Sequence, residues 1–140
     1  MKKIGSLFAI LGLAAGFAFA SPAMALDFSL DGNFRGACST ASASGNGTAA
    51  TATLANKCGV ITTEALTAPT NSEYTLTLTD TVVAAGDIPL VTVGNGSNTT
   101  GLAVLARATV SANTLVIVVR QANTTNFNGT LSIRYLVIKP

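Results

Sequence analysis

The chain has 140 residues with 49% hydrophobic side chains, only 10% charged ones, two cysteines and no histidine. Without histidine, a Ser-His-Asp or Cys-His catalytic arrangement is impossible, and two cysteines alone fall short of a zinc site. No cofactor is implied by any motif.

Lys2 and Lys3 precede an apolar run from Ile4 to Ala20, and Ser21-Pro22 interrupts it. Ala23-Met24-Ala25 then places small residues, Ala23 and Ala25, at the two positions that a signal peptidase reads. Charged start, apolar middle and Ala-x-Ala end predict a secretory signal peptide over 1–25, so membrane contact is expected only before cleavage. Cleavage also removes two of the eight basic residues, leaving six against six acidic ones. A neutral chain has no basic footprint for nucleic acid, and it has little self-repulsion to oppose association with its own copies.

Leu26 to Phe34 begins with alternation, Leu26, Phe28 and Leu30 against Asp27, Ser29 and Asp31, which predicts a short strand ended by Asp31-Gly32. Arg35 to Asn46 is small and polar and reads as a flexible linker pinned by its cysteine. Cys38 and Cys58, the only two in an exported chain, predict one disulfide worth about 3 kcal/mol on the chain-entropy model. Residues 26–58 and 59–140 then form one domain.

Thr48 to Leu54 alternates weakly, and Val60 to Leu66 is a further strand. Tyr74 to Thr81 has the clearest pattern: Tyr74, Leu76 and Leu78 face one way, Thr75, Thr77 and Thr79 the other. A side-chain period of two makes it a strand with one face on a core. Ile88 to Val93 follows, with Pro89 near its start, where a missing donor is tolerated.

Leu102 to Val110 and Leu115 to Gln121 flank Ser111-Ala112-Asn113-Thr114 and read as a hairpin. Leu115, Ile117 and Val119 point inward, which leaves Val116 and Val118 as an apolar pair on the outer face. Thr130 to Ile138 closes the chain, with Leu131, Ile133, Tyr135 and Val137 on one side and Leu136 and Ile138 on the other. About eight short strands without a helical stripe predict an all-β antiparallel β-sandwich, jelly-roll-like or immunoglobulin-like in outline.

A resemblance is carried by Gly59-Val60-Ile61-Thr62-Thr63-Glu64-Ala65-Leu66-Thr67, Tyr74 to Thr79, Val93 to Thr99, and Asn128 to Ile133. Over about residues 59–138 the chain resembles small β-domains of phage virion and phage-tail-associated proteins and of uncharacterised exported bacterial proteins. The resemblance implies structural and interaction roles and supplies no active-site residues. The signal peptide and the segment Leu26–Cys58 depart from that pattern and favour the cell envelope or exterior.

Among the carboxylates Glu64 is the most interesting, and the plain expectation for it is an exposed strand residue beside a cross-strand arginine. Asp80 and Asp87 flank a turn. Phe127, in the loop Asn123–Asn128, is the one aromatic residue expected to meet a partner rather than the core. The Asn-x-Ser/Thr triplets at Asn46, Asn95, Asn98, Asn123 and Asn128 are read as turn chemistry. These features allow two readings of function. The first is a non-enzymatic structural protein, secreted, periplasmic or at the cell surface, that self-associates through strand edges and the apolar residues Val116, Val118, Leu136 and Ile138. The second is a monomeric module that recognises a glycan or a surface protein through its loops Asn95–Gly101 and Asn123–Gly129.

Overall fold

The computed structural model describes residues 38–140. The signal peptide with Ala23 and Ala25, and the expected strand Leu26–Phe34, lie outside the described residues. Within them the chain is all-β, with nine strands: β1 Ser39–Ser42, β2 Ser44–Gly45, β3 Ala49–Leu54, β4 Cys58–Thr62, β5 Glu73–Asp80, β6 Ile88–Asn95, β7 Ala103–Ser111, β8 Thr114–Gln121 and β9 Leu131–Ile138. They form two sheets, one ordered β1-β4-β9-β6 and one ordered β2-β3-β5-β8-β7.

β5 shows why these residues make strands. Tyr74, Leu76, Leu78 and Asp80 are fully buried while its threonines stay at least partly exposed. Threonine is β-branched and holds extended backbone on the wet face as well. The same alternation puts Ile61, Leu115, Ile117, Val119, Leu131, Ile133, Tyr135 and Val137 from both sheets into one hydrophobic core.

The expectation of a purely antiparallel fold is corrected. β1 runs parallel to β4 and β3 runs parallel to β5. The chain leaves one sheet at β3, passes through the other as β4 and returns as β5 beside β3. Two such crossings bring a strand back in its starting direction, whereas a hairpin reverses it.

The supposed linker is corrected as well. Ser39–Ser42 pairs with β4 and Ser44–Gly45 pairs with β3, so this small polar stretch is strand with one sheet change at Ala43. It is extended because β3 and β4 offer backbone partners, which composition does not reveal. The hairpin β7–β8 forms as expected, with Asn113 in the left-handed region at φ 58°. Asparagine tolerates that conformation because its short polar side chain costs little there.

Candidate interaction surface

The outer face of the four-stranded sheet carries a continuous apolar area. Register alone assembles it: Cys58 stands beside Leu136, Leu136 beside Leu90, and Ile138 beside Ile88. Ile88 and Leu90 are each 51% exposed and Ile138 is 41% exposed. Leu136 is half-buried between its neighbours. Cys58 is buried and bonded to the exposed Cys38, so the disulfide borders this area. Farther along the same face the side chains turn polar through Val60, Arg134 and Thr92 to Thr62 and Ser132. Leu136 and Ile138, singled out from sequence, therefore belong together. Ile88 and Leu90 complete the area, and only the β6–β9 register shows that they do.

Edge strands β6 and β7 suit strand addition less well than this face does. Val137 donates its N–H to the Lys57 carbonyl at 2.7 Å, toward β4. Its partner Pro89 on β6 therefore turns its hydrogen-free nitrogen to the sheet edge. Edge strand β7 is broken by a bulge between Leu105 and Arg107. Proline and bulges at edges both hinder pairing with another chain.

Three expected interaction positions are corrected. Val118 lies on the outer face but is fully buried. It sits on a central strand, in register with Thr75 on one side and Arg107 on the other. Val116 is half-buried between Thr77 and Thr109, so the pair is no exposed apolar surface. Phe127 is only 2% exposed and joins the hydrophobic core. Gly101 makes this possible, because a Cβ there would collide with the Phe127 ring. A loop position says nothing about burial when the loop folds back over the sheet ends.

The loops around Phe127 are braced against each other. Thr99 N–H donates to Asn128 Oδ1 at 2.8 Å, and Asn128 N–H donates to Asn98 Oδ1 at 3.1 Å. Thr100 Oγ1 donates to the Asn126 carbonyl at 2.6 Å, and Asn123 Nδ2 to the Thr100 carbonyl at 3.2 Å. Gln121, fully buried, donates from Nε2 to Asn123 Oδ1 and to the Thr125 carbonyl. Asn46 Oδ1 accepts from the Thr48 and Ala49 N–H groups in the β2–β3 turn. Asn95 Oδ1 accepts from Asn98 Nδ2 at 3.3 Å. All five triplet asparagines thus serve local turn and loop structure.

Three carboxylates, Glu64, Asp80 and Asp87, are occupied too. Among the described residues Glu64 forms no ion pair with an arginine. Its Oε1 accepts from the Gly47 N–H at 3.0 Å and its Oε2 from the Tyr74 hydroxyl at 2.9 Å. The acid in register with an arginine is Glu73, opposite Arg120. Asp80 is fully buried and accepts from the Tyr135 hydroxyl and the Val82 N–H, each at 2.9 Å. Burial, reinforced by these carboxylate hydrogen bonds and by the negative charge itself, pushes both tyrosine hydroxyls well above their ordinary pKa. Asp87 accepts from Lys139 Nζ at 2.7 Å and from the Ala84 N–H at 2.8 Å. The Lys139 hydrogen bond first, then the Ala84 one, lowers its carboxyl pKa. No three His, Cys, Asp or Glu side chains gather into a metal-binding group among the described residues.

Comparison with protein-family models, with curated proteins and with solved structures finds no match for this chain, so nothing there bears on the resemblance to phage β-domains.

Proposed function

We propose that this is an exported, non-enzymatic structural or assembly protein of the cell envelope or exterior, a β-sandwich that self-associates through the outer face of its four-stranded sheet. One observation carries the reading. Ile88, Leu90, Leu136 and Ile138 form one apolar area by register, and three of them are exposed. Exposed large apolar residues scattered singly need no explanation, but a contiguous group on a flat face indicates a covered surface. The balance of six basic and six acidic residues after residue 25 leaves little charge repulsion between copies. The disulfide is consistent with an oxidising, extracellular environment.

Light scattering across a concentration series tests this. The reading expects a species larger than one chain whose mass collapses to the monomer in Leu90→Lys. A monomer at every concentration would remove it.

The braced loops favour a second reading, a binding module for a glycan or surface protein. The Thr100 hydroxyl holds the Asn126 carbonyl from the neighbouring loop and Gln121 Nε2 holds the Thr125 carbonyl, so the exposed Thr125 and Asn126 are fixed in place. Preorganised polar groups lose little entropy on binding. Capture in a glycan screen by the native protein, lost in Asn126→Ala, would support it.

A further inference from the structure

We propose that the Cys38–Cys58 disulfide is a reductant-sensitive latch that holds edge strand β1 on β4, and that reduction releases β1 while the rest of the fold stays in place. The inference rests on the fold alone and is independent of self-association.

β1 contributes little packing of its own. Its side chains are Ser39, Thr40, Ala41 and Ser42, none of them buried and only one apolar. The strand is held by its ladder to β4, by Asn56 Nδ2 donating to Ser39 Oγ at 3.1 Å, and by the disulfide. The disulfide extends the β1–β4 register by one step, from the pair Ser39–Gly59 to Cys38–Cys58. The net gain of a solvent-accessible backbone ladder is comparable with the conformational entropy of ordering the same residues. The covalent tie is therefore what tips β1 toward docking.

The chain beyond β1 is anchored separately. Ala43 is buried and donates its N–H to the Thr62 carbonyl at 2.8 Å. After it β2 pairs with β3 across the turn at Asn46, and Glu64 holds the Gly47 N–H. Release thus ends at Ala43, where the chain changes sheets.

The two sulfurs are unequal. Cys38 is exposed and Cys58 is buried. A dithiol reductant attacks Cys38 Sγ as its thiolate, and Cys58 leaves as a thiolate that takes up a proton. The reagent's second thiol then closes on its own sulfur and frees Cys38 as a thiol. Two electrons pass from the dithiol to the cystine, and the dithiol becomes a cyclic disulfide.

The backbone directions make the test residue-specific. Thr63 N–H donates to the Leu131 carbonyl and Val137 N–H to the Lys57 carbonyl, so odd-numbered residues of β4 bond β9. Even-numbered ones, Val60 and Thr62, turn their backbone groups to β1, as the Ala43–Thr62 bond shows. Amide exchange of the intact protein, followed by NMR with and without dithiothreitol and repeated on the Cys38→Ser/Cys58→Ser double variant, reads this directly. The amides of Ser39, Ala41, Val60 and Thr62, which face each other across the β1–β4 ladder, are expected to exchange roughly 100-fold faster once the link is gone, with Gly59 and Ile61 unchanged. Two results overturn the proposal. Unchanged exchange throughout means that β1 docks without the bond. Equal acceleration everywhere, or failure of the reduced protein to fold, means that the disulfide staples the whole domain.

Discussion

Tyr135 on β9 of one sheet donates its hydroxyl to Asp80, at the end of β5 in the other sheet, across 2.9 Å in the buried interior. Tyr74 on β5 reaches the opposite way, to Glu64 just beyond β4. Each tyrosine fills the core with its ring and finds a carboxylate with its tip, so two polar clasps join the layers that apolar packing holds. Gly59 allows the first clasp, because a Cβ there would stand 2.6 Å from Tyr135 Cε1 and 2.7 Å from Leu54 Cδ1.

Tyr135→Phe keeps the ring and removes the hydroxyl, leaving buried Asp80 with the Val82 N–H. The expected loss is about 1–3 kcal/mol in chemical denaturation. Gly59→Ala is expected to cost about 1–3 kcal/mol through overpacking against the same ring. Because both changes act on one contact, the double variant should lose less than the two single losses added.

Alkaline pH should weaken the fold at both clasps. The folded pKa values of Tyr74 and Tyr135 are raised while unfolded tyrosine ionises near 10. Their contribution is therefore complete below about pH 10 and is lost as the pH rises toward the folded values. At the acid end the lowered Asp87 acts with the opposite sign: its contribution is present above the ordinary carboxylate range of about 4 and fades as the pH falls. A urea midpoint measured from pH 2 to 12 should show both shoulders, and Tyr74→Phe/Tyr135→Phe should flatten the alkaline one.

Phe127→Ala is expected to destabilise by about 3–5 kcal/mol, as for a core phenylalanine, because its ring is buried in the common core. The thermal midpoint measures it. A loss below about 1 kcal/mol would put the ring outside the core.

Leu90→Lys and Ile138→Lys alter an exposed face and should change stability by no more than about 0.5 kcal/mol. Each should lower the mass seen in light scattering. Val104→Lys, exposed on the other sheet, serves as the control that leaves association unchanged.

Alternation by itself determined most of the strands, since a period of two is a local property of extended backbone. β5, β6, β8 and β9 lie, within a residue or two, where Tyr74–Thr81, Ile88–Val93, Leu115–Gln121 and Thr130–Ile138 predict them. The disulfide was legible too, because two cysteines admit one pairing. Tertiary structure alone decided what stands opposite each side chain. It buried Val118 and Phe127, gave Glu64 a tyrosine instead of an arginine, turned two ladders parallel, and set Ile88 and Leu90 beside Ile138 and Leu136. The face of a strand is written within a few residues, but burial and partnership come from distant segments, such as Leu131 with Thr63, 68 residues apart, and no local pattern encodes which segments meet.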